Sequence, residues 1–353
     1  MRLWEKNIRQ VVPYVPGEQP AGDKIIKLNT NENPYPPAPG VKKVLEELDT
    51  DRLRKYPDPA ATVLVKELAA YYGLGEDQVF VGVGSDDVLA MSFLTFFNSD
   101  KPVLFPDVTY SFYKVWADLF KVPFETPALK EDFTIDTKDY AKENGGVIFP
   151  NPNAPTGVYM PLDQIEEILI ANQDVVVIVD EAYVDFAGPS ALELLEKYEN
   201  LLVVQTFSKS HSMAGMRIGF AMGHPELIRA LNNVKYSYNS YTMNLPSLLA
   251  GVEAVKDKAY FESTLAKIVA TRERSKKRLA ELGFTFPDSR SNFIFASHES
   301  VPAEKIFEAL KKEQIYVRYF KTPGLDNSLR ISIGTDEEMD TLFRFLEAYL
   351  PNA

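Results

Sequence analysis

The sequence predicts an α/β fold: a mostly parallel central sheet flanked by helices, with a smaller α+β domain formed from both chain ends. Two observations carry this. Short, continuously apolar runs such as Val175-Val176-Val177-Ile178-Val179 and Leu201-Leu202-Val203-Val204 recur through the middle of the chain. Such runs suit strands buried on both faces. Segments of helical periodicity separate them, which is how parallel strands are joined. With 353 residues, 45% of them hydrophobic, the chain can bury a large core and form more than one lobe.

Each element follows from its own pattern. Asn29 to Pro39 (NTNENPYPPAP) is rich in Pro and Asn and fits neither a long helix nor a central strand. Helical patterns follow over 40–49 and 61–72. Residues 79–82 read as a strand and 85–97 as a helix with Ser85 or Asp86 near its N-terminus. Strands at 102–106, 146–150, 175–179, 201–205 and 217–222 then alternate with helices at 110–120, 161–171 and 224–234. Near the end, helices at 258–282, 302–313 and 336–349 surround strands at 317–320 and 329–333. The expected organisation is an N-terminal segment (1–45) joining the small domain, a large α/β domain (46–284) and a small C-terminal α+β domain (285–353). No internal repeat or low-complexity tract is visible.

Composition excludes several classes. Net charge is −12 and the basic runs are short, which argues against nucleic acid or an anionic membrane as a partner. No apolar run reaches spanning length, and Met1-Arg2-Leu3-Trp4-Glu5-Lys6 is not a signal peptide. The absence of cysteine removes disulfides and thiolate metal sites and fits a cytoplasmic protein. His211, His224 and His298 make no metal-ligand pattern, so no metal is expected.

Chemistry concentrates where strands end. Lys209 follows the strand at 201–205 in Thr206-Phe207-Ser208-Lys209, with Arg217 shortly after, and Asp180-Glu181-Ala182-Tyr183 follows the strand at 175–179. A lysine at the end of one buried strand and an aspartate at the end of another suit pyridoxal phosphate (PLP): the amine forms a Schiff base, and the carboxylate keeps the pyridine nitrogen protonated. Alone, each has an ordinary reading, a solvated loop charge or a helix cap. Gly84-Ser85-Asp86-Asp87 lies between a strand and a helix, where backbone N–H groups and a hydroxyl cradle a phosphate or simply cap the helix. Tyr110 is placed to stack on a flat cofactor or to serve as a core aromatic. In Leu329-Arg330-Ile331, strand alternation sets Arg330 opposite its apolar neighbours, so it needs an anion, either a ligand or an internal carboxylate.

Asn31-Glu32-Asn33-Pro34, Tyr56-Pro57-Asp58, Gly84-Ser85-Asp86, Asp180-Glu181-Ala182-Tyr183, Ser208-Lys209 with Arg217, and Leu329-Arg330-Ile331 occur in that order. Together they resemble the fold type I PLP-dependent aminotransferases, and among these the histidinol-phosphate aminotransferase family, from about Tyr14 to Gly334. The resemblance implies roles. Lys209 carries the cofactor and shuttles the proton between the substrate α-carbon and cofactor carbon C4′. Asp180 pairs with the pyridinium, Tyr183 donates to the ring oxygen, and Tyr110 stacks on the ring. Ser85, Asp86 through its backbone, Thr206, Ser208 and Arg217 hold the phosphate. Tyr56 reaches the neighbouring subunit's phosphate, which implies a homodimer.

The family's Asn before the Pro-Thr-Gly turn is Ala154 here, so either Asn153 is displaced into that contact or Tyr183 serves alone. For substrate, the resemblance gives Arg330 the acidic group, adds Tyr14 and Arg318 for a phosphate, and makes Asn292 the residue that orients Arg330. Arg318 is equally readable as a solvated edge-strand charge. The implied reaction converts L-histidinol phosphate and 2-oxoglutarate to imidazole-acetol phosphate and L-glutamate. Rival readings are an aromatic amino acid aminotransferase, a PLP-dependent amino-acid-phosphate decarboxylase and a non-catalytic α/β binding protein.

Overall fold

The structure is a computed structural model that describes residues 2–22 and 24–353. Twelve strands are described: β1 (Ile26–Leu28), β2 (Val79–Gly82), β3 (Val103–Leu104), β4 (Phe124–Glu125), β5 (Gly146–Pro150) and β6 (Val177–Asp180), then β7 (Leu201–Thr206), β8 (Gly219–Gly223), β9 (Phe284–Thr285), β10 (Phe293–His298), β11 (Ile315–Tyr319) and β12 (Leu329–Ser332). Seven form one sheet in the order β2-β8-β7-β6-β5-β3-β4. Only β8 runs against its neighbours, β2 and β7.

The continuous apolar runs are explained by cover on both faces. Val177, Val179, Leu201 and Val203 face one core with helices Thr62–Tyr72, Leu162–Ala171 and Leu245–Lys256. Ile178, Leu202 and Val204 face the other, with helices Ser85–Phe96, Phe112–Phe120 and Pro225–Tyr238. Each such fully buried side chain contributes roughly 1.5–3 kcal/mol of transfer free energy. The mostly parallel, doubly covered sheet is the one the sequence predicts.

A second sheet, β1-β11-β12-β10-β9, combines a strand from the chain's start with four from its end. β1 pairs parallel with β11, and the other pairings are antiparallel. Its core includes Leu28, Ile294, Val317, Ile331 and Phe343. Helix Asp336–Tyr349 starts on a capping box, with Thr335 Oγ1 accepting from Glu338 N at 3.2 Å and Glu338 Oε2 accepting from Thr335 N at 2.7 Å.

Several boundaries differ from expectation, each for a local reason. The strand at 102–106 shrinks to β3 because Pro102 and Pro106 bracket it and lack the donor a ladder needs. The strand expected from 217 begins at Gly219, because Arg217 has φ +52°, outside extended backbone. The helix expected from 110 begins at Phe112, which leaves Tyr110 in the preceding turn. β11 begins at Ile315, earlier than expected, because β1 pairs with residues 315–317. β1, β4, β9, β10 and helix Leu245–Lys256 were not anticipated. The last had a readable start: Asn244 Oδ1 accepts from Ser247 N at 2.8 Å, just ahead of a proline in the first turn.

Candidate active site

The parallel strands end on one edge of the large sheet, and their register gathers the singled-out residues there. Pro150 of β5, Asp180 of β6 and Val204 of β7 are in register. Thr206 closes β7, so Ser208 and Lys209 leave the sheet beside Asp180. A cavity of about 240 Å³ opens there. Its walls carry Ser85, Asp86, Tyr110, Asp180, Tyr183, Thr206, Ser208, Lys209, Arg217 and Arg330. A larger groove of about 670 Å³ around Phe133, Phe286 and Arg290 holds none of them.

Among the described residues Lys209 is the only lysine on the cavity wall; its Nζ donates to the Thr30 carbonyl at 3.1 Å and lies 5.6 Å from the Tyr183 ring centroid. Asp180 is 4% exposed. Tyr113 Oη donates to its Oδ2 at 2.7 Å, while Oδ1 is buried without a partner. Burial pushes the Asp180 carboxyl up to about 6; hydrogen bonds from Tyr113 and the Ala182 backbone oppose the rise, and Asp86 adds to it. A carboxylate so placed is completed by a cation or an N–H at Oδ1.

The opposite wall is built for an anion. Helix Ser85–Phe96 points its N-terminus at the cavity. Gly84 precedes it at φ +83°, and a Cβ there would lie 2.5 Å from Arg217 Nη2. Gly219 is as constrained, since a Cβ would meet Ser85 N at 2.2 Å. Gly84 therefore lets the Arg217 guanidinium come close to the helix start, and Gly219 lets β8 do the same. Thr206 Oγ1 donates to Ser208 Oγ at 3.0 Å beside them. The Asp86 carboxylate is engaged by two other wall residues, accepting from Tyr110 Oη at 2.7 Å and from Arg217 Nη2 at 3.3 Å.

Arg330 lies on the side of the second sheet. Its Nη2 donates to the Asn29 carbonyl at 3.0 Å, and its Nε is buried without a partner. Among the described residues no carboxylate pairs with it, so the internal salt bridge weighed from sequence is not the observed arrangement. Burial disfavours its charged form; Tyr183 opposes this, and the nearby Arg318 adds to it. That is an electrostatic demand for an anion. Arg318 is Arg330's register partner across β11 and β12, and both guanidinium groups sit over Phe320, at 5.4 and 5.6 Å from its centroid.

Four expected residues lie off the cavity wall. Tyr14 stacks on Phe112 at 4.2 Å, beside Tyr110. Tyr56 is 81% exposed and stacks on Tyr241 at 4.6 Å. Arg318 lies beside Arg330 on the neighbouring strand. Asn292 is fully buried; its Nδ2 donates to the Asn31 carbonyl at 2.9 Å, and its Oδ1, the atom that could accept from a guanidinium, is buried without a partner. Asn153 is committed elsewhere: its Nδ2 donates to Val108 O and Thr156 Oγ1, both at 3.0 Å, and Ala154 takes the place on the cavity wall.

Sequence reasoning missed Tyr113, Thr30 and Glu32. Tyr113 was readable only as one more aromatic in Tyr110-Ser111-Phe112-Tyr113, with nothing to single out a partner for Asp180. Glu32 lines the cavity, accepting from Thr30 Oγ1 at 2.7 Å and pairing with Lys27. Burial works to raise its pKa, but Lys27 and Thr30 together bring it below the usual value.

The family model described as aminotransferase class I and II matches residues 23–346. The chain is 53% identical to a histidinol-phosphate aminotransferase of Clostridium acetobutylicum over 338 residues, 96% of each chain. It is 51% identical to one of Brachyspira hyodysenteriae over 345 residues, 98% of each. The crystal structure of histidinol-phosphate aminotransferase from Sinorhizobium meliloti, in complex with pyridoxal-5'-phosphate, superposes with a TM-score of 0.83 at 26% identity, covering 93% of this chain and 90% of that one. Its fold is the fold type I architecture expected from the motifs. By sequence match along nearly its whole length, the chain belongs to the class I and II aminotransferases and, within them, to the histidinol-phosphate aminotransferase family.

Proposed function

We propose that the protein is a PLP-dependent aminotransferase that converts L-histidinol phosphate and 2-oxoglutarate to imidazole-acetol phosphate and L-glutamate. The carrying observation is one cavity whose wall brings together Lys209, an unpartnered Asp180 Oδ1, an anion cradle and Arg330, whose Nε has no partner. The residues fit PLP. The cradle of Ser85, the Asp86 backbone, Thr206, Ser208 and Arg217 would hold its phosphate. Asp180 would take its ring nitrogen, Tyr110 its face and Tyr183 its ring oxygen. When bound, PLP supplies a reactive carbonyl carbon and an electron-withdrawing ring.

The chain's own groups do the rest. Lys209 Nζ binds the cofactor, then holds and returns the proton taken from the substrate α-carbon. Asp180 keeps a negative charge against the ring nitrogen in a site with little water. With Asn153 engaged elsewhere, Tyr183 serves the ring oxygen alone. Arg330 receives the substrate's acidic group, which removes the cost of its own burial. Adding histidinol phosphate to the PLP-bound protein should convert its visible spectrum in one turnover. A spectrum that responds to phenylalanine and not to histidinol phosphate would overturn the substrate assignment.

Arg318 and Tyr14 are assigned to the substrate phosphate, which is bulkier and more highly charged than a carboxylate. Arg330→Ala should slow both half-reactions. Arg318→Ala should slow the histidinol phosphate half-reaction more than the glutamate one, by about 1.5–3 kcal/mol, on the order of ten- to a hundredfold. Single-turnover spectroscopy of each half-reaction checks this. Equal losses for both donors would refute a phosphate-selective Arg318.

We further assign the enzyme to the cytoplasm as a homodimer in which Tyr56 completes the partner's phosphate cradle. Its exposed ring, stacked on Tyr241 away from its own cavity, supports that reading. Mixing Tyr56→Ala with Lys209→Ala subunits should restore up to about a quarter of wild-type activity, because half the dimers are hybrid and each has one intact site. A mixture no more active than its parents, or a fully active monomer in sedimentation, would rule out the shared site.

A further inference from the structure

Asn31 uses every polar atom it has. It is 1% exposed and sits at φ +57°, a left-handed conformation that Asn tolerates better than most residues. Its backbone N–H donates to Ser332 Oγ at 2.9 Å, and its carbonyl accepts from Asn292 Nδ2 at 2.9 Å. Its side-chain Oδ1 accepts from Ser332 Oγ at 3.0 Å, and its Nδ2 donates to Tyr183 Oη at 2.9 Å. Thus Ser332 of β12 and Asn292, the residue just before β10, hold Asn31, and Asn31 holds the hydroxyl of a cavity residue from the large sheet's edge.

The orientation of the amide is fixed by these bonds. Ser332 Oγ already accepts from the Asn31 backbone, so its one proton must go elsewhere, and Oδ1 takes it. Were the amide turned over, Ser332 would face two donors and its proton would have no acceptor. With Oδ1 at Ser332, Nδ2 must face Tyr183. An N–H donated into the phenol oxygen occupies a lone pair and leaves the phenol's own proton uncommitted. No described residue accepts that proton, and Tyr183 lines the cavity.

We propose that Asn31 is a positioning residue: by donating to Tyr183 it turns the phenol's proton into the cavity, toward the cofactor's ring oxygen, and it ties that orientation to the second sheet. This rests on the reading of Tyr183 as donor to the cofactor. It separates the direction of a hydrogen bond from its mere presence, and that separation can be tested. Asn31→Asp keeps size and the left-handed backbone but offers only acceptors. It captures the phenol proton and withdraws it from the cavity. Asn31→Gly keeps the backbone and leaves the phenol free to donate without guidance.

The experiment follows the visible absorbance of the PLP-bound enzyme against pH. Lys209 and Arg330, the charged groups beside Tyr183, are intact in every variant. Tyr183→Phe should raise the midpoint, because a donor to the ring oxygen is lost. Asn31→Asp should raise it by about one unit, close to the Tyr183→Phe shift, and Asn31→Gly by clearly less. In the double variant Asn31→Asp/Tyr183→Phe, the midpoint should match that of Tyr183→Phe. Equal shifts for Asp and Gly, no shift for Asp, or additive shifts in the double variant would overturn the role of Asn31 while leaving that of Tyr183 standing. A wild-type midpoint in Tyr183→Phe would overturn both. Should Asn31→Asp not fold, Ser332→Ala, which frees the amide to turn over, is expected to raise the midpoint, and an unchanged midpoint there overturns the proposal.

Discussion

Lys209→Ala is expected to leave a folded protein whose absorbance with PLP is that of the unattached cofactor and that turns over no substrate beyond a single event. Lys209 is the only lysine on the cavity wall, so no other described amine there can take its place. The one described hydrogen bond of its side chain is to the Thr30 carbonyl, and losing it costs about 0.5–1.5 kcal/mol, too little to unfold a domain of this size. The loss of activity should therefore far exceed the loss of stability. A removed acid–base group alone costs up to about 10⁴-fold, and loss of the covalent attachment adds to that. The checks are a thermal melt, an absorbance spectrum and steady-state turnover. A variant with wild-type absorbance and turnover would place the attachment on a different lysine.

The large sheet was legible because its strands are buried on both faces, which leaves a continuous apolar signal in β5, β6 and β7. β1 has no such signal: its three residues alternate Ile26, Lys27, Leu28, and it is a strand only because β11 lies beside it. β10 starts as apolar as any strand of the large sheet, but it follows a polar, turn-rich stretch that masks its start. The cavity residues that end strands, Asp180 and Thr206, were readable because a strand end is a defined place. Tyr113, Thr30 and Glu32 meet the cavity through packing between distant segments, which no local pattern records. Asn292 needs the fold for the same reason: its Nδ2 is held by the Asn31 carbonyl, from a segment far away in the chain.

Asp180→Ala is expected to cost several powers of ten in turnover. Asp180 is buried, has one oxygen satisfied by Tyr113 and one left for the cavity, and forms no salt bridge with any described residue. Its charge is thus held where a ring nitrogen would meet it, in surroundings that screen it weakly. Asp180→Asn is the sharper variant, because it keeps the shape and the bond to Tyr113 and removes only the charge. The two should fall together in rate. A loss smaller than about tenfold would represent under ~1.4 kcal/mol of barrier, too little for a group that keeps the ring electron-withdrawing. The pH dependence gives an independent check. Burial raises the Asp180 carboxyl to about 6 while no cation faces it. A protonated ring nitrogen at Oδ1 favours the ionised form and pulls that value down, so below about pH 6 cofactor binding must expel a proton. Cofactor affinity is therefore level above about pH 6 and falls as the pH drops through it, approaching about tenfold per unit at most. Asp180→Asn should bind more weakly throughout and lose that fall. An acid limb of unchanged depth in Asp180→Asn, measured by fluorescence titration with PLP, would assign the limb to another group and remove Asp180 from the ring nitrogen.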